Sequence, residues 1–184
     1  MNTDTWDAFE QRLSSDESLH ADAEPLPWPP TPERLQQLVD RNATVLTTLA
    51  TLEERRVDTG DDDDPLTQEM RRMDAKLTAL VAIVNQLLAP VATLPPRCNV
   101  RFNEVGAVVP QALVPAADGL LLRLRFDACP SLSLELPGQP VRDLGDGRVF
   151  VSFVTQGDAL GDAISRLVFR HHRRKVADAR QQAF

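Results

Sequence analysis

Few residues in this 184-residue chain could do chemistry, and their spacing decides what each group is for. The histidines are His20, His171 and His172. His171 and His172 are neighbours on a helix-like stretch and face different ways, which is wrong for a shared metal. The run DTGDDDD, residues 58–64, concentrates acids around a glycine. A calcium loop needs alternating ligands, a central glycine and a distal glutamate, so this run reads instead as a solvated acidic turn. Cys98 and Cys129 sit in apolar, strand-like surroundings without metal spacing, and are expected as buried thiols rather than a disulfide. No phosphate-cradling glycine loop and no nucleophile with its base stands out, so the chain is expected to be neither an enzyme nor a carrier of a cofactor or metal. The basic cluster Arg170, Arg173, Arg174 and Lys175 reads as the complement of a helix C-terminus. An acidic partner, such as the acidic turn of a neighbouring subunit, is the alternative.

Charge and hydropathy narrow the class of partner. The net charge is −7, so no overall basic field draws in a phosphate backbone, and nucleic acid is not an expected partner. No apolar run approaches the roughly 18 residues of a membrane span, and MNTDTWDAFEQ lacks the basic and apolar regions of a signal peptide. A soluble, cytoplasmic protein is expected.

The elements that must carry these residues fall into three stretches. Residues 1–30 are acidic and then proline-rich around Trp28, and are expected to be extended or loosely docked, with Trp6 and Phe9 marking one short helix. Residues 31–90 read as a two-helix stem. Thr31, Pro32 and Glu33 supply a hydroxyl cap, a first-turn proline and an acid at the positive end of the dipole. Leu35, Leu38, Asn42, Val45, Leu49 and Leu52 then recur at helical spacing, with Val39 and Leu46 widening the stripe. A second helix runs from Pro65 to about Ala89, about 37 Å at about 1.5 Å per residue, before Pro90, Pro95 and Pro96 end it. Residues 91–184 change to alternating runs, RCNVRF, AVV, GLLLRLRF, SLSLEL and RVFVSFV, which predict a small antiparallel barrel or sandwich of five or six strands. Gly157 and Asp158 open a last helix whose Leu160, Ile164, Leu167 and Val168 would plug the barrel.

The second helix carries the most informative pattern. Leu66, Met70, Met73, Leu77, Leu80, Val84, Leu87 and Val91 alternate spacings of three and four, a heptad seam. Val81, Leu88 and Ile83 broaden its C-terminal half beyond a two-stranded seam, while Glu69, Asp74 and Lys76 suit the rim of a bundle. Asn42 holds an a-type position in the first helix, where a polar residue fixes register or oligomer state. The two helices could fold on each other as a hairpin within one chain. The breadth of the second stripe favours self-association, because one partner helix and a barrel edge would leave apolar surface bare.

The glycine-ended strand run, the compact barrel, GRVFVSFVTQGDALGDAISRLVFRHHRR and the final amphipathic helix resemble the PilZ domain of bacterial cyclic di-GMP signalling. Upstream, PLPW, TPERLQQLVDRN, the DDDDP turn, the heptad helix and PPR resemble the atypical PilZ group with a helical stem. The likeness spans residues from about 25 to 176. It implies an α+β fold, with a helical heptad-repeat stem followed by a PilZ-like β-barrel and a C-terminal helix. It further implies a homotetramer built on parallel heptad helices, an unidentified protein partner, and a role in signalling that touches motility or virulence. The standard ligand site pairs RxxxR, just before the barrel, with (D/N)xSxxG on an early strand. Arginine forks grip phosphates and stack on guanine, while the polar pair and the glycine admit the ligand. Here RFNEVG aligns Arg101, Asn103 and Gly106, keeping only the glycine, and Arg97 with Arg101 spell RxxxR inside the strand motif rather than on an arm before it. Gly106 is equally explained as a bulge or turn glycine. The expectation is a non-enzymatic adaptor without standard cyclic di-GMP binding. The alternative is a genuine receptor that uses Arg97, Arg101 or the basic tail in a non-standard site.

Overall fold

The computed structural model describes residues 3–53, 65–88, 93–154 and 157–182. The acidic turn, Ala89, Pro90 and Val91 lie outside the described residues. Chain order is α1 (Thr3–Glu10), β1 (Ser15–Pro25), α2 (Pro32–Glu53), α3 (Pro65–Leu88), β2 (Arg97–Phe102), β3 (Gly106–Pro110), β4 (Leu120–Arg125), β5 (Ser133–Asp143), β6 (Arg148–Phe153) and α4 (Asp158–Gln182).

The strands form a closed antiparallel barrel in the order β1-β2-β3-β6-β5-β4, with β4 returning to β1. Alternation along each strand sends one set of side chains inward. Val100 and Phe102 of β2, Ala107 and Val109 of β3, Leu120, Leu122 and Leu124 of β4, and Leu134 and Leu136 of β5 share one core. Val108, of opposite parity on β3, points outward and is covered by α1, where Phe9 and Trp6 pack on Phe150 with ring centroids 4.9 and 5.0 Å apart. The α+β class, the barrel and the C-terminal helix therefore stand as expected, and the apolar face of α4 contributes Leu160, Ile164, Leu167 and Val168 to the core.

Residues 1–30 depart from their expectation. Instead of extended, loosely docked chain, they supply α1 and an eleven-residue strand hydrogen-bonded on both edges, Ser15–His20 with β2 and His20–Pro25 with β4. Only Leu19 and Ala21 of β1 belong to the buried core. Two of its acids are matched across the sheet, Asp22 to Arg123 and Arg125 and Glu24 to Arg123, so an acidic sequence becomes a good barrel strand. The short α1 around Trp6 and Phe9 is present as expected.

The second departure is α2. Thr31 accepts a hydrogen bond from the Arg34 amide, as its capping role requires. The apolar face of α2 then packs on β5 and α4, burying Leu38, Val45, Leu46 and Leu49. Asn42 is fully buried there. Its amide donates to the Glu135 carbonyl at 2.7 Å and its oxygen accepts from the Glu135 amide at 2.8 Å, so it pins α2 to a strand rather than setting a coil register. A carboxamide is the side chain that can both donate to and accept from one backbone unit.

Candidate functional site

The sequence singles out two places, α3 and the β2–β3 motif, and the structure adds a third. The first is α3. Its apolar row stays in solvent: Leu66, Met70, Met73, Leu77, Leu80, Val84 and Leu87 are all exposed, Leu80 at 57% and Leu87 at 75%. Ile83 and Leu88 extend the same bare surface. The helix touches the barrel through Asn85, whose oxygen accepts from the Ser131 hydroxyl and lies 3.4 Å from the Cys129 sulfur. Because each of these side chains gains about 1.5 to 3 kcal/mol when buried, leaving a whole row uncovered is strongly unfavourable for an isolated chain.

The second place is the altered ligand motif on β2 and β3. Arg97 grips Asp127 with both terminal nitrogens, at 2.8 and 3.0 Å, and also donates to the Ser18 carbonyl. Arg101 donates to the Glu10 carboxylate and the Ser14 hydroxyl, both at 2.8 Å, while its guanidinium lies 5.0 Å over the Phe9 ring. Asn103 is fully buried. It accepts from the amides of Val105 and Gly106 and donates to the Phe9 carbonyl at 3.0 Å, tying the β2–β3 turn to α1. A side chain at Gly106 would strike the Val151 carbonyl and the Phe150 ring, so close approach of β6 demands the glycine. Each motif residue thus has a complete set of partners within the chain. Arg97 and Arg101 share a strand but hold separate carboxylates rather than converging on an open anion site.

Arg101 does border an open cleft. A depression of about 390 Å³ lies over the barrel wall, lined by Ser18, Asn99, Arg101 and Arg148 together with Asp16 and Glu17. Arg148 is already paired with Asp146. The two cations at this cleft therefore have their charge answered before any ligand arrives.

The third place is a buried ion cluster. His171 continues the inward stripe of α4, four residues after Leu167, and its Nδ1 and Nε2 lie 3.1 Å from Glu17 and 2.9 Å from Glu53. Carboxylates only accept, so both ring nitrogens carry protons. Burial pulls the imidazole pKa down, but the hydrogen bonds and charges of Glu17 and Glu53 outweigh it and raise it to about 9. For Glu17, burial pushes upward and the bonds to His171, Ser15 and Lys175 win, lowering it to about 2. Lys175 joins Glu17, while Arg170 and Arg174 reach the side chain and carbonyl of Glu53. The basic tail therefore does meet a helix C-terminus, that of α2. The spacing of four from Leu167 is the sequence signal that places His171 on the buried face; the two glutamates, from β1 and α2, carry no local signal. His172 is exposed, and among the described residues no His, Cys, Asp and Glu cluster is arranged to hold a metal. Cys98 and Cys129 are free thiols, Cys129 buried and Cys98 half-buried with its pKa raised by burial.

Comparison with known proteins supplies the remaining observations. A family model described as the atypical PilZ domain, cyclic di-GMP receptor, matches residues 46–181. No curated protein matches the sequence. Among solved structures, the chain is similar to a pathogenic protein from Xanthomonas campestris, a tetrameric PilZ domain self-assembled via an unusual helical bundle. The identity is 22%, the TM-score is 0.66, and the match covers 96% of this chain and 97% of the other.

Proposed function

The chain belongs to the atypical PilZ family, and from that premise we propose that it is a non-enzymatic signalling adaptor of bacterial cyclic di-GMP pathways. In this reading it works in the cytoplasm and assembles through α3 into a homotetramer. The carrying observation is the bare apolar row of α3, in contrast to the row of α2 that packs on β5 and to Leu160, Ile164, Leu167 and Val168 of α4, which are buried. Four copies side by side would remove the row from water and present four barrels on one stem. Such an array gains avidity for a protein target because linked weak sites raise the effective concentration. Among the described residues no helix is long and apolar enough to cross a membrane, so α3 is not a span.

The same reading holds that standard cyclic di-GMP binding is lost. Arg97 and Arg101 are neutralised by Asp127 and Glu10, and a dinucleotide would have to displace both carboxylates before its phosphates could replace them. The family description favours a second reading, a receptor binding in the cleft between Arg101 and Arg148. Light scattering and calorimetric titration with cyclic di-GMP, run on one sample, test both. The adaptor reading expects a tetramer mass and no binding heat. Micromolar binding that Arg101→Ala abolishes would establish the receptor instead, and a monomer mass would end the stem.

A further inference from the structure

Beyond its buried face, α4 has a second organised face that neither the core nor the ion cluster uses. Phe169, His172, Val176 and Ala179 follow one another at spacings of three, four and three, and all four are exposed, Phe169 at 53% and Val176 at 39%. Beside this row stand Arg166, Arg173 and Arg180, seven residues apart, one above another along the helix. Among the described residues none of these three meets a carboxylate, whereas the barrel arginines Arg97, Arg101, Arg123, Arg125 and Arg148 each hold one and Arg142 lies over the Trp6 ring. Arg173 leans on the Phe169 ring at 5.9 Å.

We propose that this face docks an acidic amphipathic helix of a different protein. With Phe169, His172, Val176 and Ala179 at the a and d positions of a short seam, Arg166, Arg173 and Arg180 take every e position. Charges at e and g choose the partner and its direction. A second copy of α4 is rejected in both directions. Antiparallel pairing sets arginine against arginine, and parallel pairing sets Arg180 against Lys175, which Glu17 of its own chain already holds, so neither direction brings these arginines a carboxylate. A helix with glutamates or aspartates flanking its seam answers all three cations at once. The apolar row spans about 15 Å at about 1.5 Å per residue, the right length for a few turns of a partner helix. A bulk polyanion fits less well, because the chain as a whole carries −7 and repels extended negative surfaces. The inference rests on the adaptor reading for its role in signalling, but the surface is separate from α3 and is tested separately.

The probe is a fluorescein-labelled helical peptide of three heptads, with leucine at a and d and glutamate at e and g, titrated by anisotropy against the full chain. Micromolar binding is expected, weakened at least about tenfold by the triple substitution R166E, R173E and R180E, as opposed charges become like charges. That variant should instead prefer the same peptide made with lysine, and circular dichroism should show its fold intact, since all three positions are exposed. Phe169→Ser should also weaken the wild-type complex while leaving its charge preference unchanged. The proposal is overturned if the triple variant binds the acidic peptide as the wild type does. It is equally overturned if phosphatidylglycerol vesicles or a single-stranded oligonucleotide bind more tightly than the peptide, or if the triple variant changes the assembly mass, which would make the face a contact between copies. A failed Leu80→Asp dissociation would instead remove the stem and leave this result standing.

Discussion

The helices α2 and α3 are nearly the same length, 22 and 24 residues, and both show apolar side chains at three- and four-residue spacing. Their fates are opposite. In α2 the row ends against β5 and α4, with Leu38 and Leu49 each only 1% exposed. In α3 every described member of the row faces solvent. The difference lies less in the stripes than in what flanks them: α2 carries Asn42 near its middle, whose carboxamide matches the free backbone unit of Glu135, whereas Asn85, which meets Ser131, lies near the C-terminal end of α3. Periodicity declares that a face must be covered, and a specific polar match declares by what.

The contrast can be broken most directly at Leu80. Leu80→Asp should convert the assembly to monomer by light scattering, with far-ultraviolet circular dichroism unchanged because the site is exposed in the single chain; an unchanged mass would remove the distinction between the helices. On the α2 side the largest effect is expected at the ion cluster that locks its C-terminal end to α4. His171→Gln leaves Glu53 and Glu17 without their shared cation and should cost about 3 kcal/mol in urea unfolding. The pH dependence carries a sign. With a folded pKa of about 9 against an ordinary 6.5, His171 contributes fully below pH 6.5 and loses that contribution as pH rises through about 9. Glu17, at about 2 against 4.5, contributes fully above pH 4.5 and loses it as pH falls through about 2. The wild type should therefore weaken at alkaline pH, and the His171→Gln variant should lose that alkaline limb.

Smaller effects sharpen the comparison further. Asn42→Leu strands a buried amide and carbonyl of β5 and should cost about 2 kcal/mol by the same unfolding assay. The assembly mass should remain that of the wild type, which separates α2 as a barrel element from α3 as a stem. The least effect is expected from Arg97→Ala, below about 1 kcal/mol, because its pair with Asp127 is solvent-facing. The calorimetric response to cyclic di-GMP should be the same for this variant as for the wild type.

What the sequence makes legible follows from how local each signal is. The strands after Pro96, the opening of α4 at Gly157 and Asp158, and the bounds of α3 all announce themselves through alternation, caps and prolines within a few residues. β1 does not, because Ser15–Pro25 has only Leu19 and Ala21 in the buried core, and Asp22 and Glu24 make sense only beside Arg123 and Arg125, about a hundred residues later. Asn42 was visible as an odd polar residue on an apolar face, but its partner is a backbone unit, which no side-chain pattern can reveal. At the ligand motif the arginines are visible in the sequence, while the carboxylates that occupy Arg97 and Arg101 come from Asp127 and from Glu10 of α1.

The place of β1 between β2 and β4 also bears on the order in which this protein can be made. The ribosome releases β1 early, yet its second edge has no partner until β4 follows, after α2, α3 and β2 have been synthesised. Closing such a long loop is slow, so the barrel seals late. α3 is complete long before that moment. In the proposed assembly, nascent chains on one message could therefore meet through α3 while their barrels are still open, which would favour subunits born side by side over subunits gathered from the pool.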